Sequence, residues 1–427
     1  MEKDQKYSRR ILIKTLGIAG AAMATGGLLN NSVTAQTVTN SVYDTYSATS
    51  SSVLIGSIPC FNVKDFGAIG DGIADDTSSI NDAIRACANV GGGIVFLPMG
   101  TYMHSSVFSI PSKISFIGAG RELTVLKVLN GSSTGGAISL NGNNIKVCDL
   151  SIDGNKSNIL GNGYGILGYR NSDNIIERIS VLNQRGIGIG LSGCWNYIIR
   201  DCSVTYCGAN SPGFWCDVDT NVDPYNRGNH LFDNIASHYN DLDGIICNCP
   251  NTTIINSRFT YNGQNPGSGG ALGAGGIYND TSKKDMRIIN NYCAYNTEFG
   301  INGVFFNSVL SNNICEMNAL AGIFLRPHSA RVTISGSVVN NNGNSSTTYS
   351  AYCKAGIGFD SCSFLTITGN VSYDDRPNLL QTWGIEAFDF SGPSNFITVT
   401  SNALSYNRNG NENVSSKSFT KSVIGNI

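Results

Sequence analysis

Short apolar stretches separated by polar corners recur along most of the chain. In the segment Asn229–Cys249, an apolar pair and a polar residue are followed by a corner rich in tyrosine and asparagine, by Gly-Ile, and by a second short strand. The glycine that comes just before this second strand, called the landmark glycine below, recurs at intervals of 22 to 34 residues. It is found at Gly186, Gly213, Gly244, Gly276, Gly300, Gly322, Gly356 and Gly384. This short repeat, without helical periodicity, predicts an all-β, right-handed parallel β-helix, a solenoid that winds one coil per repeat.

The alternation of side chains along a strand assigns each position after the landmark glycine to the core or to the surface. Positions one and three after the glycine are predicted to face inward, and positions two and four outward. At the first of these coils the same alignment places Ile187 inward, and Gly188 and Gly190 outward. The outward positions carry aromatic and ionisable residues in the later coils: Trp215, Tyr278, Phe324 and Glu386 at position two, and Asp217, Asn248, Asp280, Arg326 and Asp360 at position four.

The composition agrees with tightly turning coils and limits the classes of ligand. Charged residues make up 14% of the 427 residues, against roughly 25% in average soluble domains. A net charge of -2 gives no overall field that would favour nucleic acid or an anionic membrane surface. Of the 13 cysteines, most occupy strand positions, which predicts small core residues; none forms a cluster with zinc-ligand spacing.

The N-terminal residues predict export. Residues 1–35 contain Ser-Arg-Arg-Ile-Leu-Ile-Lys at Ser8–Lys14, an apolar run to Leu29, and Val33-Thr34-Ala35 as a cleavage site. This pattern resembles a bacterial twin-arginine signal, which implies the twin-arginine export machinery as a partner, a periplasmic or extracellular location, and no membrane attachment after cleavage. Residues 36–58 read as a linker, and residues 59–427 as one β-helix domain.

The start of the domain contains a capping helix and a family motif. Ile80, Ala83, Ile84 and Cys87 share one face of a short helix, and Asp76 or Thr77 is expected to cap it over the open first coil. The acidic residues Asp71, Asp75 and Asp76 are interpreted as turn and cap chemistry. The run from Phe61 to Tyr102 resembles the opening motif of the pectate lyase superfamily, which includes polygalacturonase-like hydrolases, phage tailspikes and mannuronan C5-epimerases. That resemblance implies a β-helix fold and leaves the reaction open.

Insertions recur at one corner of the coils and predict a wall beside the outward face. They occupy Gly208–Pro212, Gly263–Gly275, Gly343–Ala355 and Asp374–Thr382. Aromatic rings stack on pyranose rings, and ionised and amide groups bind sugar hydroxyls and carboxylates. We therefore expect a groove for a polysaccharide, most simply an acidic one, with substrate-binding residues Trp215, Tyr278, Asn248, Phe324, Asp360 and Glu386.

Glycosidic bond cleavage is the reaction that the acidic residues favour. Asp217 and Asp280, two coils apart with Asn248 between them, would have backbones roughly 9.6 Å apart. Carboxyl groups roughly 6.5 to 9.5 Å apart suit an inverting glycosidase. In this interpretation Asp217 and Asp280 are the acid and base, and Arg326 holds a sugar carboxylate.

The alternative enzyme class is a polysaccharide lyase or uronate C5-epimerase, which needs a base and a cation at the sugar carboxylate. Arg326, His328 and Tyr278 could supply these groups. The stretch from Ile176 to Asp217 is similar to the catalytic region of mannuronan C5-epimerases, but the position of their Tyr-Gly-x-Asp-Pro-His motif holds Ile-Gly-Ile-Gly-Leu-Ser. Only Asp217 matches a further family aspartate.

A third class is a glycan-binding solenoid without catalysis, for which neutral Asn and Gly coils would suffice. Polygalacturonase motifs such as Asn-Thr-Asp and Gly-His-Gly are absent from the sequence. No cofactor is required by any motif. A Ca²⁺ ion bridging Asp217, Asp219 and a uronate is one option, although no complete oxygen-ligand loop is visible.

Overall fold

The computed structural model describes residues 58–218, 228–265, 274–344, 354–388, 390–414 and 421–426. The predicted signal peptide and nearly all of the predicted linker lie outside these residues. Within them, no helix combines the length and the apolar character that a membrane crossing requires.

One helix covers the first coil, as predicted. Helix α1 (Thr77–Asn89) buries the four residues of its apolar face, which pack into the same core as the first strands. Asp76 occupies the N-cap position, but its carboxylate accepts from the backbone N–H groups of Ile69 and Gly70 instead of capping the helix. Asp71 and Asp75 likewise accept from backbone N–H groups one turn ahead, so the turn interpretation of this acidic cluster is confirmed.

The rest of the described chain is β-structure, apart from a 3-10 turn at Val63–Phe66. Its strands are β1 (Cys60–Asn62), β2 (Asp71–Asp75), β3 (Gly93–Leu97), β4 (Gly100–His104), β5 (Phe108–Ile110), β6 (Ile114–Gly118), β7 (Thr124–Val128), β8 (Ile138–Leu140), β9 (Lys146–Asp153), β10 (Gly163–Tyr169), β11 (Ile175–Leu182), β12 (Gly186–Ser192), β13 (Ile198–Arg200), β14 (Ser203–Thr205), β15 (Phe214–Asp217), β16 (Leu231–Asp233), β17 (Ala236–His238), β18 (Ile245–Asn248), β19 (Thr253–Ile255), β20 (Arg258–Thr260), β21 (Ile277–Lys284), β22 (Arg287–Ile289), β23 (Tyr292–Ala294), β24 (Ile301–Ser311), β25 (Ile314–Glu316), β26 (Ile323–Leu325), β27 (Ala330–Ser335), β28 (Val338–Asn340), β29 (Ile357–Phe359), β30 (Ser363–Thr368), β31 (Val371–Tyr373), β32 (Trp383–Ala387), β33 (Asn395–Thr400), β34 (Ala403–Ser405), β35 (Gly410–Asn413) and β36 (Lys421–Ile424).

Each strand pairs in parallel with the equivalent strand of the next coil. The strand after the landmark glycine, for example, runs through β15, β18, β21, β24, β26, β29, β32 and β35. Because equivalent residues stack directly above one another, a residue type at one position of the repeat becomes a column along the solenoid axis. The predicted right-handed parallel β-helix is therefore confirmed.

Asparagine shapes the corners in two ways. Many corner residues adopt the left-handed backbone conformation, which asparagine tolerates well, such as Asn234, Asn256 and Asn290 with φ of 52° to 56°. A second column of amides is buried inside the corner and links the coils by side-chain hydrogen bonds: Asn240, Asn262, Asn296, Asn318, Asn342, Gln381 and Asn407. The buried amides therefore bond each coil to the next.

The core consists of the predicted inward positions. From Phe214 onward, the residues one and three after the landmark glycine are buried, including Cys216 and Cys247. The twelve described cysteines are free thiols, and all except Cys60 are buried, in agreement with their prediction as small core residues.

The alignment at the first landmark coil was wrong by two residues. Ile189 of β12 pairs with Phe214, so Gly188 rather than Gly186 is the equivalent of Gly213. Consequently Ile187 is partly exposed, and a Cβ added to Gly188 would meet the core atoms of Val204 and Cys207. Gly190 is the outward residue in register with Trp215.

Candidate functional site

The outward positions form one column on the face of the β-helix. Strand pairing places the residues at position two directly in line: Gly190, Trp215, Ile246, Tyr278, Asn302, Phe324, Gly358, Glu386 and Asn413. These side chains lie outside the core, as the strand phase predicts. Several of them are nevertheless buried, because side chains from neighbouring columns cover them.

A polar cluster built from three consecutive coils occupies the middle of this column. Tyr278, Asn302 and Arg326 come from β21, β24 and the end of β26. One terminal nitrogen of Arg326 donates to the Tyr278 hydroxyl at 2.7 Å, and Nε donates to Oδ1 of Asn302 at 3.2 Å. The guanidinium carbon lies 4.7 Å from the centre of the Tyr278 ring, a cation–π contact. Arg326 is partly exposed, whereas Tyr278 and Asn302 are buried beneath it.

Phe324 belongs to a small apolar cluster rather than to an open stacking surface. Its ring stacks on Phe299 with centroids 5.4 Å apart and meets Phe388 edge-on at 5.7 Å. Leu320 and Ala321 complete this outer cluster, in which Phe324 is 7% exposed. The expectation that Phe324 stacks on a sugar is therefore corrected: its ring faces are occupied by other aromatic rings, for which Gly358 leaves the room.

Asp360 holds a loop in place. Its two carboxylate oxygens accept from the backbone N–H and the hydroxyl of Ser391, at 3.0 and 2.8 Å, and the residue is 5% exposed. In this structure the Asp360 carboxylate holds the loop at Ser391, and its predicted contact with a sugar stays a prediction.

His328 lies at the corner that follows β26. It adopts a left-handed conformation with φ of 73°, is exposed, and donates its backbone N–H to the carbonyl of Ser361. The structure thus keeps His328 at the surface, two residues beyond Arg326. Its predicted part in catalysis stays a prediction.

Of the predicted carboxylate pair, Asp217 and Asp280, the structure describes the side chain of Asp217. Asp217 is partly exposed, stacks on Asn248 in the next coil, and accepts from the backbone N–H of Val218 at 2.8 Å. Asn248 is 7% exposed. The pairing of β18 with β21 ends at Tyr278, and the register of β21 with β24 shifts between Asn279 and Lys283. The side chain of Asp280 and all of Asp219 lie outside the described residues, so the predicted carboxylate spacing and the Ca²⁺ option stay predictions.

The sequence interpretation missed Asp243, a fully buried acid directly before the Gly244 landmark. Its Oδ1 accepts from the backbone N–H of Gly275 at 2.7 Å, while Oδ2 is buried without a hydrogen-bond partner. Burial raises the pKa of Asp243 well above its usual range, and the nearby Glu298 raises it further, while Arg326 acts in the opposite direction. Burial thus disfavours the charged form of Asp243, which lies within electrostatic range of Arg326.

Asp243 occupies the position just before the landmark glycine, which is also the position of Phe299 and Ala321 in the outer cluster. Strict alternation would place this position inward, like positions one and three, so the strand phase gave no signal for Asp243 as a residue of the outer face. The side chains just before the landmark glycines form a further column that covers the outward face. This explains why several outward residues are buried.

Glu386 and Trp383 stand at the C-terminal end of the column. Burial raises the pKa of Glu386 to about 7, against the opposing effect of hydrogen bonds from Asn413 and Thr382. The ring of Trp383 lies over Gly410 of the next coil, where an added Cβ would approach the ring to 2.7 Å. Both side chains are partly exposed, so this end of the face is open. Trp215, at the other end, is also partly exposed.

The fold and this face define a right-handed β-helix of the pectate lyase-like kind, and comparison with known sequences agrees. The family model "Rhamnogalacturonase A/epimerase, pectate lyase-like" matches residues 60–160, and "Right handed beta helix region" matches residues 218–354. Together with the fold, these matches support assignment of the chain to the right-handed β-helix superfamily.

Among individual proteins, the chain is similar to enzymes of Azotobacter vinelandii. It is 35% identical to mannuronan C5-epimerase AlgE1 over 234 residues, which cover 49% of this chain and 16% of the epimerase. It is 35% identical to alginate lyase 7 over 205 residues, or 42% of this chain and 24% of the lyase. The A-module of mannuronan C5-epimerase AlgE6 superposes with a TM-score of 0.70 at 20% identity, covering 86% of this chain and 99% of the module. The chain thus spans a quarter or less of the full length of these two curated relatives.

No group of three or more histidine, cysteine or carboxylate side chains suited to a metal ion occurs in the part of the chain that the structure describes. The cluster on the outward face instead combines one guanidinium group, a phenol and an amide, with the buried carboxyl group of Asp243 in electrostatic range.

Proposed function

We propose that this protein modifies an acidic polysaccharide by exchanging the proton at C5 of a uronate residue, as an epimerase or a lyase of the alginate-modifying kind. The observation that carries the proposal is the cluster of Arg326, Tyr278 and Asn302 on the outward face. The similarity to mannuronan C5-epimerases and an alginate lyase supports it.

The chemistry requires a cation at the sugar carboxylate. Removal of the C5 proton leaves negative charge that spreads into the adjacent carboxylate, and a fixed positive group stabilises that charge. Arg326 is partly exposed, and its guanidinium group is oriented by Tyr278 and Asn302. A guanidinium group that is already held in place loses little conformational entropy when it binds a carboxylate.

Tyr278 and Asp243 supply the proton chemistry in this proposal. The Tyr278 oxygen, as a phenolate stabilised by Arg326, takes the C5 proton and becomes the phenol. Water then delivers a proton to C5 from the opposite face while Tyr278 returns its proton to solvent, which gives the epimer. Alternatively the C4–O bond breaks and the leaving oxygen takes the proton from Tyr278, which gives an unsaturated sugar and a shorter chain. Burial raises the pKa of Asp243 and so disfavours a negative charge behind the place where a polyanion would bind.

Glycosidic hydrolysis by Asp217 and Asp280 is the competing proposal. The described register provides no continuous column from Asp217 to Asp280, since strand pairing ends at Tyr278. A hydrolase would produce new reducing ends without unsaturation, so the products of the reaction separate the two mechanisms. We further propose that the chain is exported through the twin-arginine pathway and acts outside the cytoplasm.

The test is an incubation of the purified protein with mannuronan, mixed alginate and pectate. Altered uronate composition at constant chain length, measured by proton NMR, identifies an epimerase, and new ultraviolet absorbance of an unsaturated product identifies a lyase. Replacing Arg326 by glutamine is expected to lower kcat/KM by about 100-fold or more, the range that loss of one preorganised charge-stabilising group produces. Tyr278→Phe is expected to abolish turnover and to preserve polymer binding.

The chain offers a matched control elsewhere on the solenoid. Arg258 lies 4.5 Å from the centre of the Tyr292 ring, almost the same cation–π geometry as Arg326 and Tyr278, but on another strand of the coil. Arg258→Gln and Tyr292→Phe are expected to leave turnover unchanged. Equal losses in both pairs would indicate a structural role for such contacts, and reducing ends that depend on Asp217 would overturn the proposal in favour of hydrolysis.

A further inference from the structure

The C-terminal end of the outward column is a second polar and aromatic site, separated from the Arg326 cluster. Between the two lies the outer apolar cluster, in which Phe324 and Phe388 close over Gly358. Glu386 follows Gly358 in the same column, and Asn413 follows Glu386. At about 4.8 Å per coil, the Glu386 strand lies roughly 10 Å along the axis from the strand that carries Arg326.

We propose that Trp383, Glu386 and Asn413 form an outer sugar subsite that accepts a uronate residue only when the Glu386 carboxyl group is protonated. The subsite would therefore make the affinity for an acidic polysaccharide depend on pH. This inference rests on the proposed function, because it assumes that the bound chain is a polyanion.

The position of Trp383 supports a sugar-stacking role. The residue just before each landmark glycine lies on the same outer face as the column, as the stacking of Phe299 on Phe324 shows. Trp383 occupies that position in the Glu386 coil, and its ring lies against Gly410, where any side chain would collide with it. A partly exposed indole ring supported by backbone provides the flat apolar surface on which a pyranose ring stacks.

The surroundings of Glu386 explain why its charge state matters. Its carboxylate accepts hydrogen bonds from Thr382, at 3.5 Å, and from Asn413. Burial, rather than a neighbouring charge, raises its pKa to about 7. An ionised Glu386 would repel a sugar carboxylate beside it, whereas the protonated form can donate a hydrogen bond to that carboxylate.

The charged groups on the elements packed against Glu386 are engaged elsewhere. On the preceding coil, Asp360 binds Ser391. On the following coil, Glu412 pairs with Ile385 and accepts from the amide of Asn426. In the insertion before β32, Arg376 forms a salt bridge with Asp374. Lys354 and Arg408 also flank this segment, through backbone hydrogen bonds with Thr382 and Gln381. The pKa of Glu386 lies near 7.

The experiment measures binding rather than turnover, by calorimetry with mannuronan oligomers of about ten units. For the wild type, the dissociation constant is expected to rise about tenfold between pH 5.5 and pH 8.5, which corresponds to about 1.4 kcal/mol. Glu386→Gln should bind with nearly constant affinity over this range, and Trp383→Leu should bind more weakly at both ends of it. Oligomers whose carboxyl groups have been reduced to alcohols should show no pH dependence with any variant.

Glu412→Gln is the matched control, because it removes a carboxylate from the next coil at a position in register with a core residue. It should retain the pH dependence of the wild type. A wild-type pH dependence that survives in Glu386→Gln would overturn the subsite. If the protein shows the expected binding pattern but no turnover, the proposed reaction is refuted and the subsite is not. If it shows turnover but Glu386 has no effect on binding, the subsite is refuted and the reaction is not.

Discussion

Replacing Asn296 by alanine removes four hydrogen bonds from the interior of the β-helix. The Oδ1 atom of Asn296 accepts from the backbone N–H and the side-chain amide of Asn262, at 3.1 and 3.2 Å. Its Nδ2 atom donates to the carbonyl of Phe259 at 3.1 Å and to Oδ1 of Asn318 at 2.9 Å. Asn296 is 1% exposed, so water does not replace these partners in the folded protein.

The size of the effect follows from the number of bonds and their burial. A neutral hydrogen bond contributes about 1 kcal/mol to the free energy of unfolding, and a buried group that is left without a partner costs about 1–3 kcal/mol. Four lost bonds, with the backbone N–H of Asn262 left without an acceptor, therefore predict a loss of about 4 kcal/mol or more. A loss of this size lies at the upper end of the usual range for single substitutions.

Urea unfolding followed by circular dichroism measures this loss, with Asn290 as the control. Asn290 is exposed, has φ of 56°, and donates one hydrogen bond to Asn256 at the outer corner. Asn290→Gly retains the left-handed conformation and should cost less than about 1 kcal/mol. If Asn296→Ala costs no more than Asn290→Gly, the buried amide column does not stabilise the stack in the way argued above.

Three further predictions concern ionisable groups. Folding raises the pKa of Glu386 from about 4.5 to about 7, so its contribution to the free energy of unfolding is present at low pH and is lost as the pH rises from 4.5 to 7. Above pH 7, Glu386→Gln should therefore be more stable than the wild type by about 1–2 kcal/mol, after allowance for solvent screening. Because burial disfavours the charged form of Asp243, Asp243→Asn should melt within about 2 °C of the wild type at pH 7. Asp243→Ala should melt lower because the N–H of Gly275 loses its acceptor. A large loss in Asp243→Asn would mean that the carboxylate is ionised. Among the described cysteines, alkylation of the native protein should label Cys60 first, and labelling of the buried Cys216 before unfolding would contradict the described core.

The sequence was sufficient for the fold and for the direction of most strand side chains. Alternation of core and surface residues has a strict period of two, and the landmark glycine sets its phase. The one failure of register has a local cause: the segment Gly186–Ile189 contains two Gly-Ile dipeptides in succession, and both fit the pattern. Only strand pairing, which joins Ile189 to Phe214, distinguishes them.

The accessibility of the outward residues could not be read from the strand phase. Whether an outward side chain meets solvent depends on what the neighbouring columns and insertions place above it. Phe324 is covered by Phe299 and Phe388, and Asp360 by Ser391. These contacts join residues 25 to 64 positions apart in the sequence, and the variable insertion lengths hide them from a repeat alignment.

The side chains that cover the outward face also divide it into regions of different chemistry. The outer cluster around Phe324 divides the column into a central region with Arg326 and a C-terminal region with Glu386. A continuous row of ionisable groups in water would be strongly screened, whereas groups set in partly buried positions interact more strongly with a ligand and titrate outside their usual ranges. The raised pKa values of Asp243 and Glu386 follow from this arrangement. In the proposed function, this groove presents Arg326 to a polyanionic chain at its centre, and burial disfavours the charged forms of the carboxyl groups beside it.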